Sequence, residues 1–158
     1  MLRISRLTDY ATVLLATLAE SPGRVQTAAC LAEQTKLALP TVSKLLKQLQ
    51  RAGLVVSTRG LRGGYQLARP ATEISAAAIL DALEGPFAIT DCASGHGQCD
   101  REKSCRVGHA WQRLNLTIRR SLHEVSLAQL AGIDTTQIHV LAHEHDMKAA
   151  AARAQSRS

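Results

Sequence analysis

Aromatic side chains are nearly absent from this chain, which holds Tyr10, Tyr65, Phe87 and Trp111 and no others in 158 residues. The core must then be built from Leu, Ile, Val and Ala, a palette that favours helices over a β-sandwich. Long apolar runs are also missing, and nothing approaches the ~20 residues needed to cross a bilayer. The stretch "MLRISRLTDYATVLLATLAE" has two arginines ahead of a short apolar segment, as a secretion signal would. Asp9 interrupts it, and Leu7, Ala11, Leu14, Leu15 and Leu18 share one helical face, which indicates an amphipathic packing helix. The expectation is a cytoplasmic chain with no membrane partner. A chain of this length has room for one well-buried core or a small module with a helical arm, and not for a large enzyme. No motif of a small-molecule substrate pocket is present, so catalysis is not expected.

Charge of one sign is unevenly placed. From Met1 to Arg69 there are ten Lys or Arg against three Asp or Glu, giving +7; from Pro70 to Ser158 there are nine against ten, giving −1. A basic module joined to a neutral one suggests a polyanion partner for the first part, most often nucleic acid.

Within that basic part, "ESPG" ends the first helix and a short helix is expected from Thr27 to Gln34, with Ala28, Leu31 and Ala32 inward. After "KLAL", Pro40 suits the first turn of a third helix, where Val42, Leu45, Leu46 and Leu49 repeat at i, i+3, i+4 and i+7. Two short helices joined by a brief turn form a helix-turn-helix unit. The other face of the third helix carries Thr41, Lys44, Gln48 and Arg51, with Ser43 and Lys47 beside them and no acidic residue. Such a face can donate to phosphates and base edges, as a helix in the major groove must. "GLVVSTRGLRGGYQLAR" then reads as strand, glycine-rich turn, strand: a β-hairpin wing with Arg59 and Arg62 at its tip, placed to enter a minor groove.

"RPATE" is a linker, and Ser75 is expected to cap a helix running to Glu84 that Gly85 and Pro86 end. From Phe87 to Arg106 no period appears, and a structureless loop of that length needs something to pin it. A longer helix begins near Val107, with Trp111, Leu114, Ile118 and Leu122 as one apolar stripe that nothing later in the chain obviously covers. It is a candidate dimerisation helix. "SLAQLAG" is a short turn. The fold class is therefore mainly α: a winged helix-turn-helix DNA-binding domain (residues 1–70) with a β-hairpin wing, then a linker helix, ligand loop and long dimerisation helix (71–132), then a flexible tail (133–158).

The loop holds Cys92, Cys99 and Cys105, and Cys30 is read as a small core residue apart from them. In a reducing compartment clustered thiols point to metal or redox chemistry ahead of disulfides. The five- and six-residue gaps between the cysteines lack the short knuckles of structural zinc sites, so an iron–sulfur cluster is favoured and zinc is the competitor. A fourth ligand is needed; the order of preference is His109, then Asp9 delivered from a partner's first helix, then His96.

Taken together, "RLTDYA", "GLVVSTRGLRGGYQLAR" and three cysteines followed by H-x-W ahead of a long helix resemble the IscR/NsrR family of winged-helix repressors, from Met1 to about Ile133. Within it the chain looks most like regulators of the SUF-type iron–sulfur assembly operon. The resemblance implies a homodimer that binds double-stranded operator DNA through Arg59 of the hairpin and carries a cluster on Cys92, Cys99, Cys105 and one non-cysteine ligand. A 2Fe-2S cluster is favoured and 4Fe-4S stays open, because nitric-oxide-sensing relatives use an N-terminal acidic ligand where Asp9 stands. Pro40, Thr41 and Ser43 replace other polar residues in the recognition helix, so the operator sequence does not transfer. The competing functions are a nitric-oxide or redox sensor on the same scaffold, a zinc-stabilised repressor, and an electron carrier, for which a basic winged helix has no use.

Overall fold

The computed structural model describes residues 4–90 and 106–134. Several helices begin where a hydroxyl side chain takes up a backbone N–H that has no partner within the helix. Ser5 caps α1 (Arg6–Ala19), Thr27 caps α2 (Ala28–Thr35) and Ser75 caps α4 (Ala76–Glu84), each accepting from the amide three residues on. Between them lies α3 (Leu39–Arg51), which instead has Pro40 in its first turn, where the missing N–H costs nothing. The long helix α5 (Gly108–Glu124) has no side-chain cap. Strands β1 (Val55–Thr58) and β2 (Gly64–Leu67) pair antiparallel, with Val55 opposite Leu67 and Thr58 opposite Gly64. The result is a mainly helical winged-helix fold with one β-hairpin.

Turn chemistry fixes the angles between these elements. Lys36, with φ 57°, ends α2 in the left-handed region and turns the chain into α3 within three residues. The hairpin is held from the side by Gln26, whose amide donates to the Tyr65 carbonyl at 2.9 Å while its carbonyl accepts from the Tyr65 amide at 2.7 Å. That approach is why residue 64 is glycine: a Cβ there would collide with the Gln26 carbonyl.

One apolar cluster serves α1, α2, α3, β1, α4 and the chain beyond α5, with Leu14, Leu15, Leu31, Leu45, Ile74 and Leu127 fully buried. Leu7, expected on the inner face of α1, is 40% exposed. Thr8 takes the inner position instead, because its hydroxyl donates to Glu84 Oε1 at 2.6 Å. The same carboxylate oxygen accepts from the Ser5 amide at 2.9 Å, tying the start of α1 to the end of α4. Donation by Thr8 and then by Ser5 holds the Glu84 carboxyl below its ordinary value, so it is charged at neutral pH. Cys30 is half-buried rather than part of the core; its Sγ accepts from Gln34 Nε2 at 3.3 Å.

The "SLAQLAG" segment is a helix, α6 (Leu127–Leu130), started by a capping box between Ser126 and Gln129. It returns the end of α5 to the core: the Leu127 amide donates to the Ile74 carbonyl at 2.7 Å, the Ala76 amide to Val125 at 2.8 Å, and Leu127 is fully buried. Replacing Leu127 by Ala should therefore destabilise the shared apolar core itself, by about 2 to 5 kcal/mol. Chemical denaturation followed by helical circular dichroism reads this, and a loss under about 0.5 kcal/mol, the range of surface substitutions, would place α6 outside the core.

Candidate nucleic-acid interface

With Val42, Leu45, Leu46 and Leu49 fully buried, the helical period of α3 leaves Lys44, Lys47 and Arg51 exposed. Thr41, Ser43 and Gln48, expected on the same open face, are half-buried. Gln48 Oε1 is buried and meets no hydrogen-bond donor among the described residues. The cationic row is thus narrower than the sequence implied, and polar groups border it.

The wing continues this surface. Arg59 and Arg62 are both exposed in the loop that joins β1 to β2. Gln50, one residue from the end of α3, donates from Nε2 to Ser57 Oγ on β1 at 2.9 Å. Together with the Gln26–Tyr65 pairing, that bond ties the hairpin to the helical body on two sides. The sequence reading missed Gln50 and Ser57. It also missed a broader signal: Gln34 to Thr72 contains seven Lys or Arg (Lys36, Lys44, Lys47, Arg51, Arg59, Arg62, Arg69) and no Asp or Glu. An acid-free, cationic stretch of this kind suits a phosphate backbone.

Cys92, Cys99, Cys105 and His96 lie outside the described residues, as does the tail from residue 135. Both flanks of the cysteine segment are described. On the first flank, the Phe87 amide donates to Asp81 Oδ1 at 3.3 Å and the Ile89 amide to Asn115 Oδ1 at 3.2 Å. Asp81 Oδ2 also receives Arg119 at 2.9 Å, an ion pair about one third exposed, while Asn115 is 5% exposed. The root of the loop is therefore fastened to α4 and to the middle of α5. On the second flank, His109 stands exposed in the first turn of α5, and Asp9 is exposed in the first turn of α1. Among the described residues no three His, Cys, Asp or Glu side chains converge.

The apolar stripe of α5 divides. Trp111 and Leu114 are 39% and 44% exposed, and Leu116, outside the expected stripe, is 55% exposed. Ile118 and Leu122 are half-buried and line a cleft of about 800 Å³ with Ile4, Leu80, Phe87 and Ile89. No helix among the described residues is long and apolar enough to cross a membrane.

A helix with one buried apolar row and one acid-free cationic row, locked to a cationic hairpin, defines a winged helix-turn-helix DNA-binding protein. The family model for Rrf2, an iron-dependent transcriptional regulator, matches residues 4–132, and the chain belongs to that family. The IscR regulator of Cereibacter sphaeroides is 31% identical over 134 residues, 82% of this chain and 86% of that protein. The NsrR regulator of Oceanobacillus iheyensis is 28% identical over 131 residues, 82% of this chain and 89% of its own length. A helix-turn-helix regulator of Haemophilus influenzae is 34% identical over 100 residues, where the match spans 66% of that protein. Among solved structures, CymR, the global cysteine regulator of B. subtilis, superimposes with a TM-score of 0.66 at 27% identity, covering 85% of this chain and 99% of CymR. T. potens IscR gives 0.63 at 27% identity, covering 86% and 91%. The chain is a transcriptional regulator and not an enzyme.

Asn115→Ala leaves the Ile89 amide without its acceptor, and should cost about 1 to 3 kcal/mol while speeding amide exchange at Ile89 and Phe87. Unchanged exchange at both amides would show that Asn115 does not hold the loop root.

Proposed function

We propose that this chain is a homodimeric regulator whose affinity for double-stranded operator DNA is set by an iron–sulfur cluster. The observation that carries the reading is the fastening of the cysteine-loop root to α5 through Asn115, and to α4 through Asp81, which Arg119 of α5 also holds. α5 then rejoins the shared apolar core through α6. The state of the loop thus has a physical route to α3 and the wing.

The donor set fits a cluster. Cys92, Cys99 and Cys105 would hold it, with His109 as the preferred fourth ligand and Asp9 or His96 as the others. His109 and Asp9 are both exposed, so either is accessible to a loop or to a second copy. When bound, the group supplies a redox-responsive centre, with 2Fe-2S favoured over 4Fe-4S. The resemblance to the IscR/NsrR family, within which the chain looks most like regulators of the SUF-type assembly operon, extends the reading to genes of iron–sulfur cluster assembly, in the cytoplasm. A second reading, a nitric-oxide sensor, is favoured by the exposed Asp9 and by the likeness to NsrR.

On DNA, Lys44, Lys47 and Arg51 would meet phosphates and base edges of the major groove, with Thr41, Ser43 and Gln48 at its margins, while Arg59 and Arg62 reach the minor groove. Dimerisation would cover Trp111 and Leu114, with Ile118 and Leu122 further along the same helix, and would set two half-sites ~34 Å apart.

Two measurements test this. Arg59→Ala should weaken operator binding by about 1 to 3 kcal/mol and Lys44→Ala should flatten the salt dependence; wild-type titrations for both would move the contact face elsewhere. Cys92→Ala, Cys99→Ala and Cys105→Ala proteins, purified without oxygen beside Cys30→Ala and a Leu114→Asp, Ile118→Asp double variant, complete the set. The three loop variants should lose iron and shift affinity by a common factor, Cys30→Ala should change neither, and the double variant should sediment as a monomer that no longer binds DNA. Equal affinity of iron-loaded and iron-free protein for every fragment would remove the cluster as the switch.

A further inference from the structure

Leu61 stands apart from every other apolar side chain described. Its exposure is 109%, more than in the reference peptide, whereas the next most exposed large apolar residue, Ile4, is at 60%. It occupies the outermost position of a rigid hairpin. The Gly63 amide donates to the Gly60 carbonyl at 2.9 Å, which closes a four-residue turn with Leu61 and Arg62 at its two corners. A Cβ at Gly63 would collide with the Thr58 and Gly60 carbonyls, and Gly60 holds φ +112°, so the turn is built tight by glycine on both sides of Leu61. Below it, the pairing of β1 with β2, the Gln26–Tyr65 bridge and the Gln50–Ser57 bond fix the direction in which the tip points.

Nothing in the fold uses this side chain. A corner position of such a turn tolerates polar residues, which would stabilise it in water at least as well, so the fold itself does not call for leucine here. The immediate setting says what a leucine there would suit. Leu61 lies between the exposed guanidinium-bearing residues Arg59 and Arg62, in the acid-free stretch from Gln34 to Thr72. A surface that accepts an apolar tip flanked by two cations must be anionic around an apolar floor. The minor groove has that composition: phosphates on both rims, sugar and base faces within.

We propose that Leu61 is an apolar wedge that packs into the minor groove at a deformable pyrimidine–purine step, and so contributes sequence preference that no hydrogen bond carries. This rests on the reading of the wing as a DNA contact. The arginines bring the tip to the groove and hold it by charge, and Leu61 then partly unstacks the step beneath it, which is easiest where stacking is weakest. Its free energy comes from leaving water, with no counterion released.

The test uses the full chain and duplexes selected by the wild-type protein from a random-sequence pool, with the step under the wing either kept or replaced by a stiff A-tract. Affinity, salt dependence and bending by end-to-end energy transfer are measured for wild type, Leu61→Ala, Leu61→Met and Arg59→Ala. Leu61→Ala should bind the kept step about tenfold more weakly, with the salt slope unchanged and the bend reduced. It should bind the A-tract duplex as the wild type does, and Leu61→Met should stay near wild type on both. Leu61 is fully exposed, so thermal melts of these variants should superimpose. If Arg59→Ala weakens binding while Leu61→Ala matches wild type in affinity and bend, or loses equally on both duplexes, the wedge is overturned and the wing contact stands. If Arg59→Ala is also without effect, the wing is not on DNA and both readings fall.

Discussion

The fold depends on the burial of one row of α3. Val42, Leu45, Leu46 and Leu49 are all fully covered, and each such side chain contributes roughly 1.5 to 3 kcal/mol of transfer free energy. That row fixes the rotation of the helix about its axis, and rotation decides what faces outward. Lys44, Lys47 and Arg51 gain no buried partner; they are exposed because the other side of the helix is committed. A cationic surface that would repel itself in isolation is therefore assembled by apolar packing elsewhere, and the lack of any acid from Gln34 to Thr72 leaves its charge unneutralised along the chain.

The hairpin shows how a two-stranded ribbon, marginal in water by itself, becomes a rigid part. Gln26 adds backbone pairing at Tyr65, and Gln50 adds a side-chain bond at Ser57. The cost falls on sequence freedom: Gly63 and Gly64 have no room for a Cβ. The arginines at the tip thereby gain a fixed direction, and a fixed group loses less conformational entropy on meeting a partner than a mobile one.

Much of this was legible in the sequence because local rules and tertiary packing agreed. Ser75, Pro40 and the four-residue apolar period of α3 marked helix starts and faces correctly, and the glycine-rich turn between two β-branched or alternating runs marked the wing. Failures came where tertiary contact overrode local pattern. Leu127 lies in a segment too short to display a helical period, so the capping box Ser126–Gln129 was its only local sign. Leu7 fits the apolar face of α1 by spacing, yet Glu84, 76 residues away from Thr8, draws the threonine inward. Cys30, flanked by small apolar residues, looked like core, but α2 is short and buries only Leu31 completely. The narrowing of the α3 face at Thr41, Ser43 and Gln48 likewise follows from neighbours that a helical projection does not contain.

The fastenings of α5 differ in strength. At its C-terminal end it is continuous with α6, where Leu127 is fully buried and two backbone hydrogen bonds of 2.7 and 2.8 Å join residues 74–76 to residues 125–127. Toward the loop it is held by polar contacts: Ile89 to Asn115, Phe87 to Asp81, and the ion pair of Asp81 with Arg119. That ion pair is about one third exposed and contributes up to roughly 1 kcal/mol, less than the apolar burial at the other end. The head of α5 is therefore fastened through the polar contacts of the loop root, and its far end through apolar burial and backbone pairing at α6.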